Sequence, residues 1–173
     1  IVANAGYGAM EPPHRFTPGT ALAVYDTNVA GMLRMIDWAL PRFLEADRGH
    51  IVAVASVASY VGLTNNAAYC GSKAAMRVHL QSLRVSLARR NIAVTTICPG
   101  FVKSELTDNF PMAMPFLWET DRAARYIIDA IEKERGEVVF PWQIRWLKQL
   151  VVRVLPTSIL EWLLARGASV KRD

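Results

Sequence analysis

HIVAVASVASYVGLTNNAAYCGSKAAMRVHLQSLRVSLARRNIAVTTICPG, residues 50–100, reads as strand, helix, strand. Its opening HIVAVAS, 50–56, is a continuous apolar run of the kind buried on both faces of a parallel sheet. From about Ala68 to Arg90, Met76, Leu80, Leu83 and Leu87 recur at helical spacing and mark one apolar face. NIAVTTICPG, 91–100, is a second buried strand, closed by a Pro-Gly breaker. Two apolar strands joined by a helix of this length form a βαβ unit, so the segment demands a parallel sheet covered by helices.

The flanks continue the alternation. IVANAG at the start reads as the end of a strand entering a turn. Residues 18–47 read as a long helical stretch with Val24, Val29, Met32, Ile36 and Leu40 apolar, bent or broken near Gly31 and Pro41. Downstream, Thr120 is placed to cap a helix that runs to Arg135 and stops at Gly136, and EVVFP is a last short strand. The class is α/β, with neither an internal repeat nor a low-complexity segment.

With 173 residues, 52% hydrophobic and 20% charged, the chain is long and apolar enough to bury a core of its own. Cys70 and Cys98 have no metal-ligand spacing and form no disulfide framework, which points to a reducing compartment and hence to the cytoplasm. The net charge of +5 is concentrated in residues 142–173, where six basic side chains face two acidic ones. Those charges are spread among Trp, Leu and Val without a recognisable nucleic-acid module, so no nucleic-acid partner is expected. No signal peptide is expected at the first residues, and no apolar run approaches the ~20 residues of a membrane-spanning helix. The tail still has the composition of an interfacial helix on an anionic membrane, with packing on the sheet or on another subunit as the competing use.

In open parallel sheets, ligands sit beyond the carboxyl ends of the strands. That directs attention to Asn4–Gly6, Ser56–Ser59 and Pro99–Ser104. Tyr69 and Lys73 stand four apart near the start of the long helix and share a face. Around them Ala67, Ala68, Cys70, Gly71, Ser72, Ala74 and Ala75 are all small, which leaves room for a planar ligand. A phenol titrates near 10, and using it as a base near neutrality requires lowering it by about 3 units, on the order of 4 kcal/mol. A neighbouring ammonium is one means of doing so. Ser56, thirteen positions before Tyr69 at the end of its strand, has a hydroxyl able to hold a substrate oxygen beside the phenol.

Ser56, Tyr69 and Lys73, spaced Ser-x12-Tyr-x3-Lys, resemble the active-site signature of the short-chain dehydrogenase/reductase family. Asn4-Ala5-Gly6 resembles that family's turn after the fourth strand, which lies near the adenosine ribose. Asn28, in TNVAG, resembles the helix asparagine whose kinked backbone holds a water in the proton relay. Pro99-Gly100-Phe101-Val102 with Ser104 resembles the Pro-Gly-x-Val-x-Thr stretch that packs on the nicotinamide, with serine in place of threonine. The resemblance covers residues 1 to about 140 and implies a Rossmann-like, doubly wound parallel sheet whose N-terminal βα units lie outside this chain. It divides the chain into a cofactor-binding and catalytic part, 1–140, and a basic Trp/Leu-rich helical tail, 141–173.

By the same resemblance Tyr69 is the general acid/base, Ser56 orients the carbonyl or hydroxyl, Lys73 lowers the tyrosine pKa and binds the nicotinamide ribose, and Asn28 completes the relay. Asn4, Ala5, Gly6, Tyr69, Lys73, Pro99, Gly100, Val102 and Ser104 are then the cofactor contacts, with NAD or NADP as cofactor and NADP favoured. No metal is expected. Gly6-Tyr7-Gly8 opens like a dinucleotide fingerprint, but Glu11 stands where the third glycine belongs and Pro12-Pro13 follow, so the match is discounted. The glycine-rich phosphate loop is expected upstream of Ile1. An alternative is that the chain by itself is a non-catalytic piece that pairs through an exposed strand edge. A serine hydrolase is excluded because Ser56 lies in Val-Ala-Ser-Val-Ala and lacks the nucleophile elbow. Phe110, Met112, Met114, Phe116 and Leu117, in 105–119, are candidates for an apolar substrate lid or for packing on the sheet. The expected substrate is a small apolar ketone or secondary alcohol, and a homo-oligomer is expected.

Overall fold

A computed structural model describes residues 1–108, 113–146 and 156–167. Its strands are β1 (Val2–Ala3), β2 (Gly49–Val54), β3 (Ile92–Pro99) and β4 (Glu137–Phe140), in the spatial order β1-β2-β3-β4 with every neighbouring pair parallel. In sequence order the helices are α1 (Pro18–Tyr25), α2 (Gly31–Ala46), α3 (Ala67–Ser86), the short α4 (Glu105–Asp108) and α5 (Thr120–Glu132); a last helix spans Thr157–Gly167.

Both faces of the sheet are covered. On one, Met32 and Ile36 of α2 and Met76 and Leu80 of α3 pack on Ile51, Ala53, Ile92 and Val94. Met76 and Leu80 are fully buried, worth about 1.5–3 kcal/mol each in apolar surface removed from water. On the other face, Ala123 and Ala130 of α5 pack on Val52, Ile97, Val138 and Phe140, beside the ring cluster of Trp118, Tyr126 and Phe140. Burial from both sides explains why β2 and β3 read as unbroken apolar runs. The threonines within β3 have partners: the hydroxyl of Thr95 hydrogen-bonds His50 Nε2 at 2.8 Å, and that of Thr96 accepts from Arg84 Nη2 at 2.6 Å.

The helical stretch expected over 18–47 is present without a break. Thr17 caps it by accepting from the Thr20 amide, Pro18 occupies the first turn, and Asp47 ends it in the left-handed region at φ 44°. Its irregularity is a π-helical turn over Asp26–Ala30, while Gly31 and Pro41 lie inside α2. At α5 two expectations are corrected. Thr120 is not the cap, because its hydroxyl donates instead to the Lys103 carbonyl at 2.7 Å. Gly136 is not the stop either: the helix ends at Glu132 and Glu134 takes the left-handed conformation at φ 47°. Gly136 serves packing, since a Cβ there would stand 3.0 Å from Cδ of Arg84.

A closer approach occurs at Gly71, where an added Cβ would lie 2.3 Å from the Tyr25 hydroxyl; the missing side chain lets α1 pack against α3. In the tail, Trp142, Trp146 and Trp162 are 65%, 67% and 52% exposed. Leu150 and Leu155, with Lys148, Arg153, Lys171 and Arg172, lie outside the described residues. Among the described residues, no helix is long and apolar enough to cross a membrane.

Candidate active site

The carboxyl ends of β1, β2 and β3 open into one cavity of about 480 Å³. Ser56, two residues past the end of β2, is 8% exposed and accepts from the Ala58 amide at 3.1 Å, which starts a 3-10 turn over Val57–Tyr60. Tyr69 sits in the first turn of α3, half-buried, with Ser56 as the neighbouring side chain that acts on its phenol. Lys73, one turn on, is 3% exposed; its Nζ donates to the Val54 carbonyl at 2.8 Å and lies 5.9 Å from the centre of the Tyr69 ring. Strand end and helix start thus meet at the same place, as the βαβ connection requires.

The electrostatics differ from the simple expectation that Lys73 tunes the phenol. Burial pushes the Tyr69 pKa up, and the hydrogen bond from Ser56 is what opposes the rise. Lys73 is itself held down to about 8 by burial, its ammonium turned to the Val54 carbonyl. At neutral pH the Tyr69 phenol therefore keeps its proton.

Asn4, Gly6, Pro99, Gly100, Val102 and Ser104 also line the cavity. Ala5 is exposed and does not line it. Asn28 stands behind the wall, 1% exposed within the π-helical turn. Its Oδ1 accepts from the Tyr7 amide at 2.7 Å, and its Nδ2 donates to the Tyr7 carbonyl and to Ser72 Oγ, each at 2.9 Å. Ser72, one of the small residues around Tyr69, is fully buried and in turn donates to the Tyr69 carbonyl at 2.8 Å. A serine three residues after the phenol on a helix, free to bond back to that residue's carbonyl, was the available signal.

Phe101 of the Pro-Gly stretch is joined by Ala9, Met10, Leu63 and Ile127, which sequence reasoning did not name, in an apolar wall. The proposed lid is not on it: Phe116 and Leu117 are 50% and 40% exposed, Met114 does not line the cavity, and Phe110 and Met112 lie outside the described residues. Among the described residues no group of three or more His, Cys, Asp or Glu side chains could hold a metal.

Residues 1–114 match the family model described as short chain dehydrogenase. The chain belongs to the short-chain dehydrogenase family. Among curated family members it is 41% identical over 163 residues to an uncharacterized oxidoreductase of Myxococcus xanthus, covering 93% of this chain and 63% of that protein. It is 36% identical over 105 residues to retinol dehydrogenase 8 of Bos taurus, covering 61% of this chain and 34% of the relative. The chain thus spans less than two thirds of the length of either. The fold superposes on a short chain dehydrogenase from Burkholderia cenocepacia in complex with NADP, with a TM-score of 0.80, 25% identity, and coverage of 98% of this chain and 68% of that one. A 4-hydroxyisoleucine dehydrogenase complexed with NADH shares the fold at a TM-score of 0.69 and 20% identity, over 80% of this chain and 65% of its own.

Proposed function

We propose that this chain carries the catalytic half of an NAD(P)-dependent oxidoreductase that interconverts small apolar ketones and secondary alcohols. The observation behind the reading is the convergence of the Ser56 hydroxyl, the Tyr69 phenol and the buried Lys73 ammonium in one apolar-walled cavity at the carboxyl ends of the strands. In the reductive direction Ser56 donates to the carbonyl oxygen and fixes it beside Tyr69. Tyr69 then gives its proton to that oxygen as the carbonyl carbon is reduced, so the alcohol leaves neutral and the phenolate left behind takes its next proton from solvent. Lys73 donates one of its three N–H groups to the Val54 carbonyl and keeps two N–H donors for a ribose hydroxyl.

The residues present fit the nicotinamide end of a dinucleotide: Gly6 and Gly100 put no side chain into the cavity, and Pro99 and Val102 offer an apolar face. When bound, the nicotinamide supplies or accepts the hydride. Asn4, Gly6 and Ser104 are the further contacts proposed for it, and Ala5 is set aside. The cofactor is NAD or NADP, with NADP favoured; proteins that share the fold are complexed with NADP and with NADH. The aliphatic and aromatic wall, with Met10 as an adaptable member, favours an apolar substrate over a polyol.

Two surfaces support further partners. Leu22, Trp38, Val78 and Val85 leave apolar side chains exposed on α1, α2 and α3, which suits self-association. The exposed indoles of the basic tail suit a peripheral contact with anionic lipid, and the compartment proposed is the cytoplasm. The enzymatic reading is tested with the full-length protein, NADPH or NADH, and matched panels of apolar ketones and of sugars. Ketone-dependent oxidation of NADPH is expected. Turnover confined to sugars would overturn the substrate assignment, and none with either panel would overturn the activity.

A further inference from the structure

Glu11 is the buried carboxyl that the chemistry above does not use. It is 6% exposed, in a loop whose preceding residues Gly8, Ala9 and Met10 form part of the cavity wall. Its Oε2 accepts from the Ala68 amide at 3.1 Å, and its own amide donates to the Asn65 carbonyl at 2.7 Å. The first contact falls on the N-terminal turn of α3, the turn that carries Tyr69, and the second on Asn65, the residue just before the helix cap.

That turn has no cap of its own. Asn66 occupies the capping position without a side-chain bond to the helix, its amide donating instead to the Thr64 carbonyl at 2.9 Å, and the first turn contains no acidic residue. The first amides of a helix are left without intrahelical acceptors, and a carboxylate near them is favourable. Glu11 supplies that acceptor from 57 positions away. Its other oxygen, Oε1, is buried with no hydrogen-bond partner among the described residues. A surface-solvated glutamate would satisfy both oxygens, so local stability alone does not account for this placement.

We infer that Glu11 is a positioning residue: it ties the cavity-wall loop to the start of the catalytic helix and fixes where the Tyr69 phenol stands relative to bound substrate. The inference rests on the role proposed for Tyr69. The loop is held at a second point, where Tyr7 exchanges two hydrogen bonds with Asn28. Asn28 reaches the Tyr69 carbonyl through Ser72. Loop and helix are therefore joined on both sides of the phenol, by Glu11 at the Ala68 amide and by Asn28–Ser72 at the Tyr69 carbonyl. Releasing the Glu11 tie lets the first turn of α3 fray while Lys73, one turn deeper and bonded to Val54, stays in place.

The test compares Glu11→Ala and Glu11→Gln with wild type in the full-length protein. Misplacing a reacting group by about 1 Å lowers turnover by up to ~100-fold, so Glu11→Ala should lower kcat about 10- to 100-fold while the Kd for NADPH changes less than about twofold. Glu11→Gln keeps an acceptor of the same reach for the Ala68 amide and should recover most of kcat. Equal loss in kcat and cofactor affinity, or no difference between the two variants, would overturn the positioning role. Hydrogen exchange at Ala68 and Tyr69 reads the same tie without turnover: both amides should exchange faster in Glu11→Ala, with the amides after Lys73 unchanged. Unaltered exchange in a folded Glu11→Ala protein would sink the inference. Altered exchange in a protein with no NAD(P)-dependent turnover would leave the tie standing and remove the oxidoreductase reading instead.

Discussion

Replacing Lys73 with methionine should make the protein more tolerant of neutral pH while disabling it, and the size of the effect follows from the burial of the ammonium. Folding lowers the Lys73 pKa from 10.5 to about 8. At about 1.4 kcal/mol per pH unit, that fall corresponds to roughly 3 kcal/mol of penalty for holding the charged form in the folded state. Below pH 8 both states carry the proton and the penalty is complete. Between about 8 and 10.5 the unfolded chain binds the proton and the folded chain does not, so wild-type stability rises with pH. Above that window both are neutral and the penalty is gone. Lys73→Met has no such group, and the groups common to both proteins cancel in the comparison. Urea unfolding of wild type and Lys73→Met, without cofactor, should therefore give a stability difference that moves in favour of wild type by roughly 3 kcal/mol between about pH 7 and pH 10.5. A difference that stays constant within about 1 kcal/mol would show that the Lys73 ammonium is not desolvated, and the burial described for it would be wrong.

Other outcomes follow from the same geometry. Because burial raises the Tyr69 pKa, ketone reduction should be flat through neutrality and alcohol oxidation should climb into the alkaline range; parallel pH profiles in the two directions would contradict this. Gly71→Ala should destabilise by about 1–3 kcal/mol in urea titrations through overpacking against Tyr25, with part of the loss recovered by adding Tyr25→Phe. Vesicle flotation should show the full-length protein bound to anionic but not to zwitterionic vesicles, and replacing the exposed Trp142, Trp146 and Trp162 with serine should abolish binding; equal flotation of the triple variant would remove the membrane reading.

The parts of this molecule that a sequence reveals are those governed by period and spacing. The β2–α3–β3 unit is legible because burial on both sheet faces enforces apolar runs, and because Met76, Leu80 and Leu83 keep helical register. The site residues are legible because strand end and helix start are brought together by one connection, which fixes the offset between Ser56 and Tyr69. Long-range contacts were not legible. Thr120 looks like a cap, yet the Lys103 carbonyl claims its hydroxyl. Gly136 looks like a stop, yet its missing side chain accommodates Arg84 from another helix. Glu11 looks like a spoiled fingerprint and is instead the acceptor for a helix that begins 56 residues later, at Ala67. The tuning of Tyr69 also escaped, because spacing puts Lys73 on the same face but says nothing of the Val54 carbonyl that holds its ammonium.

Most direct of all is the removal of one oxygen atom. Tyr69→Phe in the full-length protein keeps the ring against the cavity and deletes the proton donor. Under saturating NADPH and an apolar ketone, kcat should fall by about 100- to 10,000-fold, the range of general acid catalysis, with the Kd for NADPH nearly unchanged. A Tyr69→Phe protein that kept more than about a tenth of wild-type turnover would contradict the assignment of the proton to Tyr69, and with it the account of this site.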